Sequence, residues 1–509
     1  MKKNTTHRVK QSMGSMLIAR PLSAVGGLLV LVLLSRKLST PEYGIYFALW
    51  ASAEILILAS NFGLLYAVFR YVNADERVDG KIFPRGPVWG LVGWRAVTLL
   101  LVAGGLALFP SLLHSLSDRS VRTISLIPLL AIVVFCEGMA RFIEAIFDSM
   151  LCQSRSQSTL ITRTWLRVLG IGFFVLQGGI TIRQVVQVEI VATFIGASIA
   201  LVLLLDIYRR ARNYVNDDEA TEFVSIRRMM QFALPVFAAD LLGLVYGPDA
   251  LKLALAGVSG SSMLAIFGFA YALTAVIQRY MPAILLTGIF RPIFVATAKK
   301  PDGTALLSEL VGTIIKINWL MILPIIAFMY FAGSPVLSIL SHGNYAHAGT
   351  VVVLLIGGLL PLAMNLTLSM YCMAREISWP VLIATGVSTI GLPMGTFLAK
   401  LYGANGMAVA FGGTELLWSG TCLVALHFFT KEVLQPDWTG FGKMLVAGLV
   451  AIVACTPLVL LHTPWFVLAP LSALLFLLVV FIVSPFSSRE KGWLLSVLPV
   501  GRFLKSTPQ

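Results

Sequence analysis

SLIPLLAIVVFCEGMARFIEAIFD, running from Ser125 to Asp148, decides the fold class. Coiled as a helix with a rise of about 1.5 Å per residue, it is long enough to cross the roughly 30 Å hydrocarbon core of a bilayer. Its first half is uncharged. Its second half carries Glu137, Arg141, Glu144 and Asp148, which at 100° per residue fall within about 60° of one another. Phe135, Met139, Phe142 and Ile146 fall on the opposite side, as a lipid-facing surface would require. An ionised side chain near the bilayer centre costs about 2.5 to 3.5 kcal/mol, so the polar stripe must face other helices or water. Three acids with one base leave a charge that neighbouring helices, protons or a cation must balance, and an unbalanced buried charge set is a candidate functional site.

The rest of the chain agrees with a membrane setting. Of 509 residues, 58% are hydrophobic and 12% charged, against about 25% charged in an ordinary soluble domain, and the mean hydropathy is +0.87. A soluble protein is excluded. Apolar stretches of about 22 residues predict an all-α polytopic membrane protein with about fourteen transmembrane helices, the fourth to eighth at 125–148, 164–182, 186–207, 230–248 and 262–290. The polar run RRARNYVNDDEATEF within 209–229 separates an N-terminal six-helix bundle (1–208) from a second (230–430). Two extra C-terminal helices and a tail complete the chain (431–509). The acids Asp217, Asp218 and Glu219 in this linker read as a solvated charge run.

The 38 Lys and Arg against 24 Asp and Glu give a net charge of +14. Most of these bases fall in segments that the predicted topology puts in the cytoplasm, which is the positive-inside rule and not a nucleic-acid footprint. An even number of crossings with basic ends places both termini in the cytoplasm. The basic start MKKNTTHRVKQ precedes an apolar stretch containing Arg20 and Pro21, so it reads as a retained first helix and not a cleaved signal. The five cysteines are scattered with no CxxC spacing, and the six histidines are scattered too, His342 and His347 sharing a loop without acids or cysteines nearby, so no metal site is expected.

Further intramembrane polar residues are Arg20 in the first span, Glu54 and Asn61 in the second, Asp240 in the seventh, Arg279 in the eighth and Lys316 in the ninth. Arg20, Arg141 and Arg279 fall in the cytoplasmic half, whereas Glu54, Glu137 and Asp240 fall nearer mid-depth. That distribution suits a cavity taking an anionic group from the cytoplasm, since guanidinium donates two parallel hydrogen bonds to phosphate and stays charged. For Lys316 the simpler expectation is snorkelling to the interface. The chain has no GxxxxGK[ST] loop for ATP, no filter-like loop of a selective channel, and no long outward loop of the kind a glycosyl polymerase or ligase needs.

The segment SRKLSTPEYGIYFALWASAEILILASNFGLLYAVFRYV, Ser35 to Val72, resembles the opening signature of the polysaccharide transporter family, the Wzx or RfbX-like lipid-linked oligosaccharide flippases of the MOP superfamily. The likeness rests on Arg36, Leu38, Tyr43, Gly44, Tyr46, Gly63, Leu64, Arg70 and Tyr71, with weaker echoes at Phe232 to Gly257 and Tyr402 to Ala410. The resemblance implies a MOP or MATE-like pair of bundles working by alternating access. It further implies a flippase, not an enzyme, moving an undecaprenyl-pyrophosphate-linked oligosaccharide across a bacterial inner membrane for O-antigen, capsule or exopolysaccharide synthesis. Its partners would be that lipid-linked oligosaccharide, the surrounding membrane lipids, and a polysaccharide polymerase with its chain-length regulator. On the charge argument Arg20, Arg141 and Arg279 would hold the pyrophosphate. Glu54, Glu137, Glu144, Asp148 and Asp240 would line the cavity and couple the cycle to H+ or Na+, with no other cofactor. The competing readings are a MATE-like exporter of organic cations, a membrane polymerase or ligase, and a non-transporting scaffold.

Overall fold

The computed structural model describes residues 2–76, 82–85, 88–109, 121–150, 152–212, 226–285, 303–430 and 437–487, together with a few single positions including Glu490; the side chains of 2–18 and of Arg20 fall outside this description. The chain divides into two compact units, Met1–Gly268 and Phe269–Gln509. It is helical throughout the described residues apart from one antiparallel hairpin, β1 (Asn73–Glu76) with β2 (Ile82–Arg85).

The first unit contains α1 (Lys2–Lys37), α2 (Thr40–Ala59), α3 (Leu64–Tyr71), α4 (Val88–Leu108), α5 (Val121–Ser149), α6 (Gln153–Leu176), α7 (Ile182–Arg212), α8 (Ile226–Tyr246) and the start of α9 (Pro248–Arg279). Ser39 and Glu42 start α2: the Ser39 N–H and hydroxyl both donate to Glu42 Oε2, at 3.3 and 2.8 Å, a capping arrangement that satisfies donors left open at a helix start. Much of the quoted family signature serves packing. Tyr43 is fully buried, and Gly44 lies so close to the Ser261 carbonyl that a Cβ would collide with it. Gly63 sits at φ 76° against the backbone of Ala233, a conformation that favours glycine.

The centre of this unit is α5, which packs on α2, α3, α4, α6 and α7. Here the lipid-facing expectation is corrected. Phe142 and Ile146 are buried in a cluster with Leu64, Val68, Val92 and Leu204. Around these two residues the apolar side meets protein while the polar side meets the arginines described below, whereas Phe135 and Met139 are half-buried and Ile132, on the same side, is exposed.

The second unit contains the end of α9, α10 (Pro282–Leu285), α11 (Gly303–Ser341), α12 (Gly349–Ala374), α13 (Trp379–Ser388), α14 (Gly391–Thr430), α15 (Trp438–Leu460) and α16 (Trp465–Val483). In it α12 packs between α11 and α14, α13 lies on α14, and α15 and α16 pair with each other and with α11. Eleven helical segments are long and apolar enough to cross a membrane. Two of these, Phe237–Arg279 with 43 residues and Trp379–Phe429 with 51, are each long enough for two passages at about 1.5 Å per residue. The backbone leaves helical geometry inside each, at Gly260 (φ 82°) and Gly403 (φ 57°). Dividing them there and adding α1 gives fourteen passages, the number expected from the sequence. The protein is a multi-pass membrane protein of all-α class.

Candidate functional site

The polar stripe of α5 does not stand alone. Arg141 Nε donates to Glu137 Oε1 at 2.7 Å, and its two terminal nitrogens grip both oxygens of Glu54 on α2, at 2.6 and 2.7 Å. From α6, Arg163 Nη2 reaches both oxygens of Glu144 at 2.7 Å. Its Nη1 lies 2.6 Å from Glu137 Oε2 as an ionic contact without hydrogen-bond alignment. Arg167, one turn further on α6, donates to Glu137 Oε2 at 3.1 Å and to Glu189 Oε2 of α7 at 2.7 Å. The Thr159 hydroxyl donates to Glu144 at 2.6 Å, the Tyr46 hydroxyl to Glu189 at 3.4 Å, and the Arg167 guanidinium lies 5.2 Å from the Trp50 ring centroid.

Four helices thus bring together four carboxylates and three guanidiniums, all on one compact unit. The two α6 arginines equal the two positive charges that the α5 stripe lacked, and the network of four carboxylates and three guanidiniums carries one negative charge in excess. Glycine makes the room: a Cβ at Gly196 of α7 would overlap the Arg163 stem. Exposure is graded across the network. Arg163 is 1% exposed and Glu137 3%, but Arg141 is 38% and Glu54 20% exposed. Only the Arg141–Glu54 end can therefore exchange partners with an incoming ligand without unpacking the bundle.

The structure brings Glu54, Glu137, Arg141 and Glu144 into one network and places the other sequence candidates elsewhere. Asp148 is half-buried one turn beyond Glu144 on α5. Asp240 on α8 accepts a 2.6 Å hydrogen bond from the Tyr66 hydroxyl. Arg279 is exposed at the end of α9. Arg20 lies on α1, but its side chain is outside the described residues. Asn61 is buried at the end of α2. Lys316, expected to snorkel, is instead fully buried: its ammonium donates to Asp437 Oδ2 at 2.7 Å, to both Glu490 oxygens at 3.0 and 2.9 Å and to the Pro485 carbonyl at 3.0 Å. Apolar surroundings close over it because two acids and a carbonyl replace its water.

Arg163, Arg167 and Glu189 were not among the sequence candidates, although the i, i+4 spacing of the two arginines at the start of an apolar stretch was a usable signal. Buried Arg95 on α4 has a different role, donating to the Ile57 carbonyl at 2.8 Å and the Ser60 hydroxyl at 3.2 Å, where a cation complements the carbonyl end of α2.

Fourteen passages in two units make a fold similar to that of solved transporters of the MOP superfamily. The lipid II flippase MurJ in an inward closed conformation superposes with a TM-score of 0.68 at 12% identity, covering 92% of this chain and 98% of that one. An inward-facing multidrug resistance MATE transporter gives 0.58 at 14% identity over 79% and 93% of the two chains. A single-residue variant of the Vibrio cholerae MATE transporter VcmN gives 0.54 at 13% identity over 85% and 99%. No protein of curated function matches in sequence. Residues 9–298 match the polysaccharide biosynthesis protein family, and the chain belongs to that family.

Proposed function

We propose that the protein is a flippase carrying undecaprenyl-pyrophosphate-linked oligosaccharide repeat units from the cytoplasmic to the periplasmic leaflet of a bacterial inner membrane, feeding O-antigen, capsule or exopolysaccharide synthesis. The observation that supports this best is a partly exposed, membrane-embedded guanidinium, Arg141, at the open end of a buried network in a chain of a polysaccharide biosynthesis family. The Glu54 carboxylate fills the fork of Arg141 in the bidentate manner of a phosphate. A pyrophosphate entering there displaces Glu54, which then takes up a proton or a sodium ion. Arg20 and Arg279 remain further candidate ligands of the pyrophosphate in this reading. Glu54, Glu137, Glu144, Asp148 and Asp240 are the candidate coupling groups of an alternating-access cycle. Both termini are then cytoplasmic, and the polymerase and chain-length regulator of the same pathway act on the product. The competing reading as a cation exporter takes the mid-membrane acids as anchors; of these Glu54 and Glu137 are held by guanidiniums, and Asp240 by the Tyr66 hydroxyl.

The test is deletion of the gene, followed by treatment of spheroplasts with a periplasmic glycan-trimming enzyme and an assay of surface polymer. A complete, protected lipid-linked oligosaccharide together with lost polymer is expected. An accessible but unpolymerised repeat unit would make the chain a polymerase or its partner, and unchanged pools would overturn the reading. Arg141→Ala at normal expression should lose surface polymer; undiminished polymer would remove Arg141 from the anion site.

A further inference from the structure

A second buried acid lies outside the network, in the other unit. Glu415 stands near the middle of the passage that α14 makes after its break at Gly403 and is only 9% exposed. Its partner is neutral: Asn365 Nδ2 of α12 donates to Glu415 Oε2 at 2.8 Å. Among the described residues no cation lies within ion-pair distance of it, in contrast to Glu54, Glu137, Glu144 and Glu189, each of which holds a guanidinium. An ionised carboxylate in an apolar interior with one neutral donor is not compensated, so such a group is neutral or holds a small cation.

The surroundings favour a proton over a metal cation through close packing, and the polar groups nearby bond within the bundle. Asn365 Oδ1 accepts from the Ser369 hydroxyl at 3.3 Å, and the Thr414 hydroxyl donates to the Ala410 carbonyl at 2.8 Å. Ser419 donates to the Pro361 carbonyl at 3.2 Å, and Thr385 Oγ accepts from the Trp418 indole at 3.2 Å. Close approach of α12 and α14 at Gly358 and Gly412, where an added Cβ would stand 3.1 Å from the opposing Cα, lets Asn365 reach the carboxylate and leaves little space for hydrated ions.

The charged and titratable groups on the elements packed around Glu415 are few. The helix α13 carries none. On α12 and just beyond it are Tyr371, Cys372, Arg375 and Glu376, and the Cys372 thiol neighbours that of Cys422 on α14, about two turns past Glu415. On α14 itself His427 is about 18 Å away along the helix, while Lys400 and Tyr402 precede the break at Gly403 on a passage that folds back with Leu398 against Gly406 and Gly391 against Thr414, which sets them towards the Gly403 end and away from the level of Glu415. On α9, Tyr271 meets Phe411, one turn before Glu415, with ring centroids 5.9 Å apart. None of these supplies a compensating cation close by.

We infer that Glu415 is a proton carrier: its carboxylate takes a proton from water on one side of the membrane and returns it to water on the other during transport, with Asn365 holding the ionised form. The inference rests on the transporter reading and adds a coupling residue in the second unit. The experiment is a pH titration of purified protein by infrared difference spectroscopy, following the C=O band of a protonated carboxyl group. A band that titrates in the wild type and is absent from Glu415→Gln is expected. Asn365→Leu should move its midpoint upward by about one pH unit, because a donor to the charged form has been removed. In cells, Glu415→Gln at normal expression should lose surface polymer.

No titrating band assigned to Glu415 overturns the inference whether or not the protein flips lipid, and so does full polymer synthesis by Glu415→Gln. Sodium-dependent stabilisation lost in Glu415→Gln also overturns it, making the site one for a metal cation. If Glu415→Gln fails to fold, an unmoved midpoint in Asn365→Leu still refutes the assignment. The deletion phenotype tests the flippase reading separately.

Discussion

Replacing Arg163 with Met keeps most of the side-chain volume but removes one of the two guanidiniums joining α5 to α6, Arg167 being the other. Glu137 retains Arg141 at 2.7 Å and Arg167 at 3.1 Å, so it stays compensated. Glu144 retains only the Thr159 hydroxyl at 2.6 Å. The loss therefore falls on Glu144, and removing one partner of a buried pair costs about 3–5 kcal/mol. For a unit of this size that is a fall in unfolding midpoint of roughly 6–20 °C, measured by thermal melting in detergent. The double variant Arg163→Met with Glu144→Gln removes the stranded charge and should regain at least about half of the loss, since residues in contact couple by up to roughly 3 kcal/mol. A single variant melting within about 2 °C of the wild type, or a double variant no better than the single, would refute the assignment of the loss to a stranded carboxylate.

Gly196→Ala pushes a methyl group into the Arg163 stem and should destabilise by about 1–3 kcal/mol; equal melting would show that the arginine has room to move. Gly63→Ala places a side chain at φ 76° against the Ala233 backbone and should cost a similar amount, about 1–3 kcal/mol, read in the same assay. Asp437 gives a pH test. Burial alone would raise its pKa, but the Lys316 ammonium, the Thr439 hydroxyl and the Gly440 N–H hold it at about 2, below its ordinary 3.8. Its folded-state pKa being depressed, its contribution is complete above about pH 4 and is lost as the pH falls towards 2. The difference in melting between Asp437→Asn and the wild type should therefore be constant from neutrality to about pH 4 and shrink below it; a difference that grows on acidification would contradict the Lys316 pairing.

The membrane passages were legible because hydrocarbon imposes length and composition, and the α5 stripe was legible because its period matches the helix. Its partners were obscured for a physical reason. The apolar stretch of the fifth span begins at 164, but α6 begins at Gln153, and Arg163 lies on the helix before that stretch. A hydropathy boundary falls where charges begin, whereas a helix carries charges onward when another helix neutralises them. The same effect put Lys316 at an interface when two acids and a carbonyl enclose it. Phe142 and Ile146 were read as lipid-facing because their side of α5 is apolar, and apolarity alone does not distinguish lipid from other helices. Glu415 was not singled out, since a single acid in a long apolar run has no periodic partner. Its significance rests on a neutral Asn fifty residues earlier in the chain.

The pairing of α5 with α6 also bears on how the chain enters the membrane as it is made. With three acids and one base, α5 alone would face a penalty of about 2.5 to 3.5 kcal/mol for each charge near the bilayer centre, and those acids are neutralised chiefly by residues not yet synthesised when it leaves the ribosome. Only three residues separate Ser149 from Gln153, so Arg163 and Arg167 follow within one helical hairpin. The two helices should therefore integrate together, with α5 waiting beside the insertion machinery until α6 arrives. Ribosome-stalled chains that keep Arg163 and Arg167 inside the ribosome should leave α5 only partly inserted, and those long enough to bring both arginines clear of it should complete the insertion.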